Sequence, residues 1–450
     1  MKKIVALFLI LGLFSQKVTA QSDSTKTLNE RAKIQVWMLD AFNKQMSYNY
    51  RGALQVYREV LNIDKKHAKA NYGAAECQFS LGNYQSALSY ITKAIETDSE
   101  VNKEAGLLLG RILHRLARLD EAVVAFNEFK ATLKSEKAIT DSRIDLYIKQ
   151  CEYAKKAMQN KVDVEIVNLG EKINTVYPEY APVISADGKS MYFTSRRPDT
   201  KGGEVDNTGD FKYFEDIYYT EWDEKENDWG TVQPVPGRIN TEFFDAALGI
   251  SPDGSQLFIY RNITRVTGSG DIWVSKLSSS GKWGSPQPMT KPKRNSINSS
   301  YFESAASITA DGNTFYFVSE RPGGFGQADI YVATKVGKEW GKPVNIGSKI
   351  NTSYDEKFVY VTPDGNTLFF GSEGHENLGG YDIFVSQKDA NGEWSTPKNL
   401  GYPINTVKEE KTFTVTSDGK YAYIGAEYED SRGDFDIYRI DISKLDLIKK

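Results

Sequence analysis

The first third of the chain repeats a helical pattern of small and apolar residues with a period of 34 or 35 residues. Two series of small residues carry this period: Ala41, Ala75 and Gly110, then Ala53, Ala87 and Ala122. Small residues at two fixed offsets allow two antiparallel helices to approach closely, and Tyr57, Ile91 and Phe126 follow to fill the space behind them. We predict three helical hairpins and a terminal capping helix over roughly residues 140–159 that shields the last apolar face.

From residue 162 the pattern changes to short runs of alternating apolar and polar residues, typical of β-strands. Ile-Asn-Thr or Ile-Asn-Ser begins at Ile173, Ile239, Ile297, Ile350 and Ile404. An Asp-Gly pair follows 13 residues after each Asn, at Asp187, Asp253, Asp311, Asp364 and Asp418. Asp-Gly between two such runs predicts a tight hairpin turn, because Gly tolerates a positive φ and Asp bonds its own backbone.

Each copy continues with signals for a third and a fourth strand. Asp-Ile-aromatic stands 18 residues after the turn aspartate at Asp271, Asp329, Asp382 and Asp436, whereas the interval to Asp216 in the first copy is 29 residues. The first copy therefore carries a loop insertion. Trp229, Trp283, Trp340 and Trp394 precede a fourth strand in the first four copies. Four antiparallel strands in each of several repeats predict the blades of a β-propeller.

The fifth copy ends without a fourth strand, which would leave an open sheet edge. Asn168 precedes Asn174 by six residues, the same offset as from Asn345 to Asn351. We therefore predict that residues 162–170 supply the outer strand of the last blade and close the ring. The predicted fold is an N-terminal α-solenoid of three hairpins plus a capping helix (residues 21–160), followed by a five-bladed β-propeller (residues 161–447).

These motifs resemble two known repeat families. The helical unit is similar to the tetratricopeptide repeat, which implies a concave groove that holds peptides or partner helices; a rigid spacer without a ligand is the alternative. The second repeat, clearest over residues 319–331, resembles the TolB-like, WD40-like (PD40-type) propellers of Bacteroidetes cell-envelope proteins. The combination looks like the periplasmic part of OmpA-family proteins that serve type IX secretion and gliding, without their peptidoglycan-binding domain.

The N-terminal residues predict export. Lys2 and Lys3, an apolar run over residues 4–14, and a small residue at Ala20 are typical of a secretory signal peptide over residues 1–20. No Cys lies near the cleavage point, so we expect no lipoprotein anchor, and no later stretch has the roughly 20 apolar residues that span a bilayer. We expect a periplasmic protein, with secretion as the open alternative.

Cysteine usage and charge narrow the picture further. Cys77 and Cys151 both lie in segments predicted as helices, and we expect two buried free thiols rather than a disulfide. The formal net charge of −4 comes with interspersed signs and no basic face. Nucleic acid is therefore not an expected partner.

A carboxylate stands five residues after the motif Asn in every propeller copy. These residues are Glu179, Asp245, Glu303, Glu356 and Glu410. Because this position lies just ahead of the innermost strand, ring symmetry predicts carboxylates around one mouth of the central channel, where they would favour a cation or a basic side chain of a partner. The alternative is that each carboxylate accepts hydrogen bonds from its neighbours and holds adjacent blades together.

The loops between the second and third strands are expected to open on the same face. Arg196 and Arg197 lie in the first of these loops and Arg321 in the third, and the insertion over residues 199–214 has the size of an Ω-loop. We expect this face to be the ligand surface. Arginine–carboxylate pairs that serve only the ring are the alternative.

The sequence offers no catalytic constellation. Histidine occurs only as His67, His114 and His375, and no Ser-His-Asp set, nucleophile elbow, phosphate loop or zinc spacing is present. We expect no enzymatic activity, no cofactor and no metal. The main hypothesis is an exported protein–protein interaction scaffold of the cell envelope. A glycan-binding propeller is the alternative, and a glycoside hydrolase is a weaker one, because such enzymes use acids at irregular positions.

Overall fold

The computed structural model describes residues 26–207, 210–262, 270–291, 296–445 and 447–448. The predicted signal peptide, residues 1–20, lies outside these ranges. Packing divides the chain into two compact units, of which the first ends at Ala105 and the second begins at Gly106. Among the described residues, no helix is long and apolar enough to cross a membrane.

From residue 26 onward, the first unit contains two helical hairpins. Its helices are α1 (Leu28–Met46), α2 (Tyr50–Ile63), α3 (Ala68–Ser80) and α4 (Tyr84–Thr97). A capping box starts α1, because the Glu30 N–H donates to Thr27 Oγ1 at 3.2 Å and the Thr27 N–H donates to Glu30 Oε2 at 2.8 Å. The Tyr57 ring lies so close to α3 that a Cβ on Gly73 would come within 2.3 Å of it. The small residue is therefore required by helix packing.

Two further helical pairs begin the second unit. They are α5 (Ala105–Arg115) with α6 (Leu119–Thr132), and the short α7 (Glu136–Asp141) with α8 (Ile144–Gln159). Phe126 fills the space behind Gly110, where a Cβ would lie 2.4 Å from the Phe126 ring. The helical repeats predicted from the small-residue series are therefore confirmed.

The terminal helix differs from its predicted bounds. The predicted helix over residues 140–159 was one element, but the chain breaks between α7 and α8 at Arg143, which has a φ of 55°. The Arg143 guanidinium bonds Glu373 at 2.9 Å and lies 5.0 Å from the centre of the Tyr354 ring. These propeller contacts accompany a left-handed conformation that a local helical pattern does not reveal.

The rest of the second unit is a five-bladed β-propeller, as predicted. The first blade holds β2 (Glu179–Ile184), β3 (Ser190–Ser195), β4 (Asp216–Asp223), β5 (Asp228–Trp229) and β6 (Gln233–Pro234), after the preceding strand β1 (Glu165–Asn168). The second holds β7 (Phe244–Ile250), β8 (Gln256–Asn262), β9 (Asp271–Lys276) and β10 (Gln287–Pro288). The third holds β11 (Glu303–Ile308), β12 (Thr314–Ser319), β13 (Asp329–Val336), β14 (Glu339–Trp340) and β15 (Val344–Asn345).

The last two blades complete the ring. The fourth holds β16 (Glu356–Val361), β17 (Thr367–Ser372), β18 (Asp382–Gln387) and β19 (Lys398–Asn399), and the fifth holds β20 (Glu410–Val415), β21 (Tyr421–Ala426) and β22 (Asp436–Asp441). The strand β1 pairs antiparallel with β22, from Glu165 opposite Asp441 to Asn168 opposite Tyr438. The innermost strands contact each other in sequence, and β20 contacts β2. The predicted closure of the ring by its N-terminal strand is confirmed.

The repeated motifs connect neighbouring blades. In the Ile-Asn-Thr motif the Asn side chain bonds the backbone of the Asp-Ile-aromatic isoleucine: Asn405 Nδ2 donates to the Ile383 carbonyl at 2.8 Å, and the Ile383 N–H donates to Asn405 Oδ1 at 2.8 Å. Asn174 makes the same two bonds to Ile437 across the ring closure. The Asn side-chain amide thus donates and accepts as the backbone of a neighbouring strand would. Both motifs are therefore explained by their role in holding the fold together.

Both cysteines are free and buried, as expected from the sequence.

Candidate functional site

All five acids predicted to surround the channel mouth are buried side chains with 0% relative exposure: Glu179, Asp245, Glu303, Glu356 and Glu410. Each begins, or stands within, an innermost strand and accepts bonds from the loop before it. In blade 1 Glu179 accepts from the Thr175 N–H at 2.7 Å and the Thr175 hydroxyl at 2.9 Å. The Thr or Ser that follows the motif Asn therefore caps its own carboxylate. A partner would reach these acids only if the loops opened, and their role in binding stays a prediction.

Arginine completes this arrangement in three blades. Arg197 donates to Glu179 at 3.2 Å and to the Ile173 carbonyl at 3.1 Å, and Arg321 donates to Glu303 at 3.2 Å and to the Ile297 carbonyl at 2.6 Å. Two of the predicted partner-binding arginines are thus engaged inside the ring.

A third arginine has the same role and was not predicted from the sequence. Arg261 lies directly opposite Asp245 in the β7–β8 pair, donates to it at 2.6 Å, and also contacts the Ile239 carbonyl. It stands eight residues after its turn aspartate, whereas Arg197 and Arg321 stand ten residues after theirs. A blade alignment that allowed a shift of two positions would have found it.

Blades 4 and 5 lack the arginine. His375 Nε2 lies 2.8 Å from the Ile350 carbonyl, and the Tyr428 hydroxyl donates to the Ile404 carbonyl at 2.7 Å, so a neutral group takes over the carbonyl contact. Burial then raises the pKa of Glu356 to about 8. Burial, followed by repulsion from Asp382, raises the pKa of Glu410 well above its usual range. The Glu356 carboxyl group therefore favours the protonated form at neutral pH.

Arg196 and the inserted loop form a separate contact. The Arg196 guanidinium forms a bidentate ion pair with the Asp210 carboxylate, and its Nε donates to the Tyr213 carbonyl at 2.5 Å. The Lys201 N–H donates to Asp216 Oδ2 at 2.6 Å. Only 8% of the Arg196 surface is exposed. In this conformation the third predicted arginine holds the insertion against the blade.

Part of the predicted ligand face is covered by the helices of the same unit. His114 Nε2 donates to the Leu378 carbonyl at 2.7 Å, and burial lowers the pKa of His114 to about 3, so the ring is neutral. Arg115 Nη1 donates to the carbonyls of Val407 and Lys408, the latter at 3.1 Å. Side chains of α5 thus bind backbone carbonyls of loops in blades 4 and 5.

A glycine pair allows the loops of blades 4 and 5 to approach each other closely beside this contact. A Cβ on Gly379 would lie 2.3 Å from the Val407 carbonyl oxygen, and a Cβ on Gly380 would lie 2.5 Å from Glu409 Cγ. A polar cavity of about 80 Å³ remains beside the contact, lined in part by Arg111, Arg143 and Gln150. Its volume is enough for several water molecules.

Five large apolar side chains of α1 are exposed in the described part of the first unit, and the sequence pattern did not predict this surface. Leu28, Val36, Leu39, Phe42 and Met46 expose 85%, 65%, 63%, 53% and 65% of their surfaces. The opposite side of α1 contributes Ile34 and Ala41 to the hairpin core. The helix is therefore apolar on two sides. A sequence pattern that assumes a single buried face assigns the apolar residues of both sides to the core.

Comparisons with known proteins agree with the helical repeats. A family model described as "Anaphase-promoting complex, cyclosome, subunit 3" matches residues 46–129. This match supports tetratricopeptide-like repeats in the helical region. No curated protein matches the chain. A tetratricopeptide-like array joined to a propeller suggests a protein-interaction scaffold.

Solved structures resemble parts of the chain at low identity. A structure described as a complex of BT0996 with RGII is 10% identical with a TM-score of 0.43, and one described as a glycoside hydrolase is 10% identical with a TM-score of 0.41. Each alignment covers 64% of this chain and 94% of the other. The Yersinia enterocolitica type III secretion chaperone SycD, in complex with a peptide of the translocator YopD, is 15% identical with a TM-score of 0.25, covering 30% and 99%. At these values the similarities carry no argument about function.

Proposed function

We propose that this protein is an exported, non-enzymatic protein–protein interaction scaffold of the bacterial cell envelope, and that a secretion or gliding apparatus is its setting. The exposed apolar stripe on α1 carries the proposal. Five large apolar side chains on one helix, each at least 53% exposed, form a surface that soluble proteins keep for interaction partners. Export is supported by the signal-peptide pattern of residues 1–20, and the envelope setting by the resemblance of the propeller motifs.

Three features support binding over catalysis. The five repeated acids are fully buried, whereas acid–base catalysis needs carboxyl groups that touch the substrate. His114 is buried against a backbone carbonyl and stays neutral, which suits a structural contact. The matched family is by its description a subunit of a complex, which agrees with a role in assembly.

Crosslinking in cells followed by purification tests the proposal. Leu39→Lys and Phe42→Lys together place two charges on the stripe, and Val336→Lys, at a 74% exposed propeller residue, is the matched control. We expect wild type and control to retain a protein partner that the double variant loses, with unchanged circular dichroism. If all three recover the same partners, the α1 stripe is not an interaction surface.

A glycan-binding propeller remains the second candidate, because two aromatic side chains on the loops of blade 3 are exposed. Tyr301 is 49% exposed and Phe325 is 51% exposed. Exposed aromatic faces suit stacking on sugar rings. Detectable binding to a glycan array that Phe325→Ala abolishes would favour this candidate, and an array without any bound glycan would remove it.

A further inference from the structure

We infer that the apolar stripe of α1 binds the same stripe of a second copy of this chain, in an antiparallel helix pair about a two-fold axis. This inference rests on the proposed function, since it names the occupant of the interaction surface. A seam within this exposed surface runs through Leu28, Ala32, Gln35, Leu39, Phe42 and Met46, so its steps are four, three, four, three and four residues. Alternating steps of three and four residues form the seam along which two helices pack side by side.

All six positions of this seam are exposed. The seam therefore extends along the full 19-residue length of α1, and all of it is accessible to a second helix. A seam that belonged to the hairpin core would be buried, as Ile34 and Ala41 are on the other side of the same helix.

The side-chain sizes select the antiparallel direction. With the two-fold axis near residue 37, Leu28 lies opposite Met46 of the second copy and Ala32 lies opposite Phe42. At the Ala32–Phe42 level a large side chain then meets a small one, which fills the space that two alanines would leave empty. A parallel pair would place Phe42 against Phe42 and Ala32 against Ala32, which leaves one crowded level and one gap.

The residues that flank the seam suit a copy of the same chain. Asn29, Val36 and Asn43 lie along one flank and are all exposed. In a two-fold pair, Val36 approaches Val36 at the axis and Asn29 approaches Asn43, so no like charges meet. A charged residue near the axis would face its own copy and oppose association.

The available area is sufficient for a specific dimer. At roughly 150–200 Å² for a fully exposed large side chain, the five apolar exposures correspond to about 600 Å² per copy. Two copies would bury about 1,200 Å², which lies at the lower end of stable interfaces.

Sedimentation velocity of the purified full chain at about 1–100 μM tests the inference. We expect a concentration-dependent dimer for wild type and for the control Val336→Glu, and a dissociation constant raised on the order of 100-fold or more for Phe42→Glu, which buries an uncompensated charge twice. Circular dichroism confirms that the variants fold. A monomer at every concentration overturns the inference.

Cysteine crosslinking tests the direction of the pair. Under mild oxidation, Val36→Cys, close to the axis, should form a disulfide-linked dimer, whereas Leu28→Cys alone should not. Efficient linkage of both single variants overturns the antiparallel arrangement. A monomeric wild type that still retains another envelope protein through Phe42 overturns self-association and leaves the scaffold proposal standing. A wild type that neither dimerises nor retains a partner contradicts both.

Discussion

Replacing Glu356 with Gln should reduce the pH dependence of propeller stability. Glu356 is fully buried and accepts from the Thr352 hydroxyl at 2.9 Å, the Ser372 hydroxyl at 2.8 Å and the Thr352 N–H at 3.2 Å. No arginine serves this blade in the way that Arg321 serves Glu303. Burial therefore raises the pKa of Glu356 from 4.5 to about 8.

The sign follows from proton linkage. In the unfolded chain the carboxyl ionises near pH 4.5, whereas in the folded chain it keeps its proton until about pH 8. Between these pH values the folded state binds more protons than the unfolded state. The stability that protonated Glu356 contributes is therefore fully present below about pH 4.5 and is lost as the pH rises toward 8. At about 1.4 kcal/mol per pKa unit, Glu356 lowers the free energy of unfolding by roughly 2–4 kcal/mol between pH 5 and pH 8.

Glu356→Gln keeps the site neutral at every pH and imitates the protonated acid. We expect its melting temperature to fall less than that of wild type between pH 5 and pH 8, as measured by differential scanning calorimetry at both values. Other buried groups titrate in this window, so the difference from wild type is the quantity that counts. If both proteins lose equal stability, Glu356 is ionised in the folded chain and the reasoning is wrong.

Glu303→Gln is the matched control, because Glu303 occupies the same position in blade 3. Its carboxylate pairs with Arg321 at 3.2 Å, and the arginine is itself largely buried. Removing this carboxylate charge leaves a buried guanidinium without its partner, which costs about 3 kcal/mol. We expect this variant to melt earlier than wild type at both pH values.

Three further predictions concern packing and closure. Gly110→Ala should lower the free energy of unfolding by about 1–3 kcal/mol in urea titrations, because the new Cβ would lie 2.4 Å from the Phe126 ring; an unchanged midpoint would contradict the packing. Ala117→Gly should raise it by about 0.5–1 kcal/mol, because Ala117 has a φ of 55° that Gly adopts without a Cβ clash; a destabilised variant would show that the conformation is not strained. Deleting residues 162–170 should lower the propeller melting temperature far more than deleting the helical hairpins, and equal losses would contradict closure by β1.

The repeat architecture could be predicted from the sequence because its signals recur at fixed offsets. The glycines of the Asp-Gly turns adopt the expected positive φ, for example +71° at Gly188, because a tight hairpin turn permits few backbone conformations. Asn168 identified the closing strand because it bonds Asn174 in the same way that Asn345 bonds Asn351 in a complete blade. Both signals depend only on neighbouring residues or on a fixed spacing, so they can be recognised without the tertiary structure.

The candidate site was harder to predict, because the direction of a side chain depends on tertiary detail. The innermost strands carry bulges, such as the shift in β2 between Tyr180 and Val183, and one extra residue changes which face a side chain takes. Glu179 could therefore be predicted to lie just ahead of the innermost strand, but the burial of its side chain could not be predicted. The stripe through Phe42 was also hidden, since a sequence pattern does not distinguish a core face from an unpartnered one.

Site-specific photo-crosslinking at Phe42 in living cells tests the central claim most directly. A photoreactive phenylalanine analogue at position 42 nearly preserves the native side chain, and the same analogue at Val336 controls for exposure alone. The scaffold account predicts a discrete crosslinked protein product at position 42, a second copy or another envelope protein, that is absent at position 336. Crosslinks absent at position 42, or identical at both positions, would contradict it.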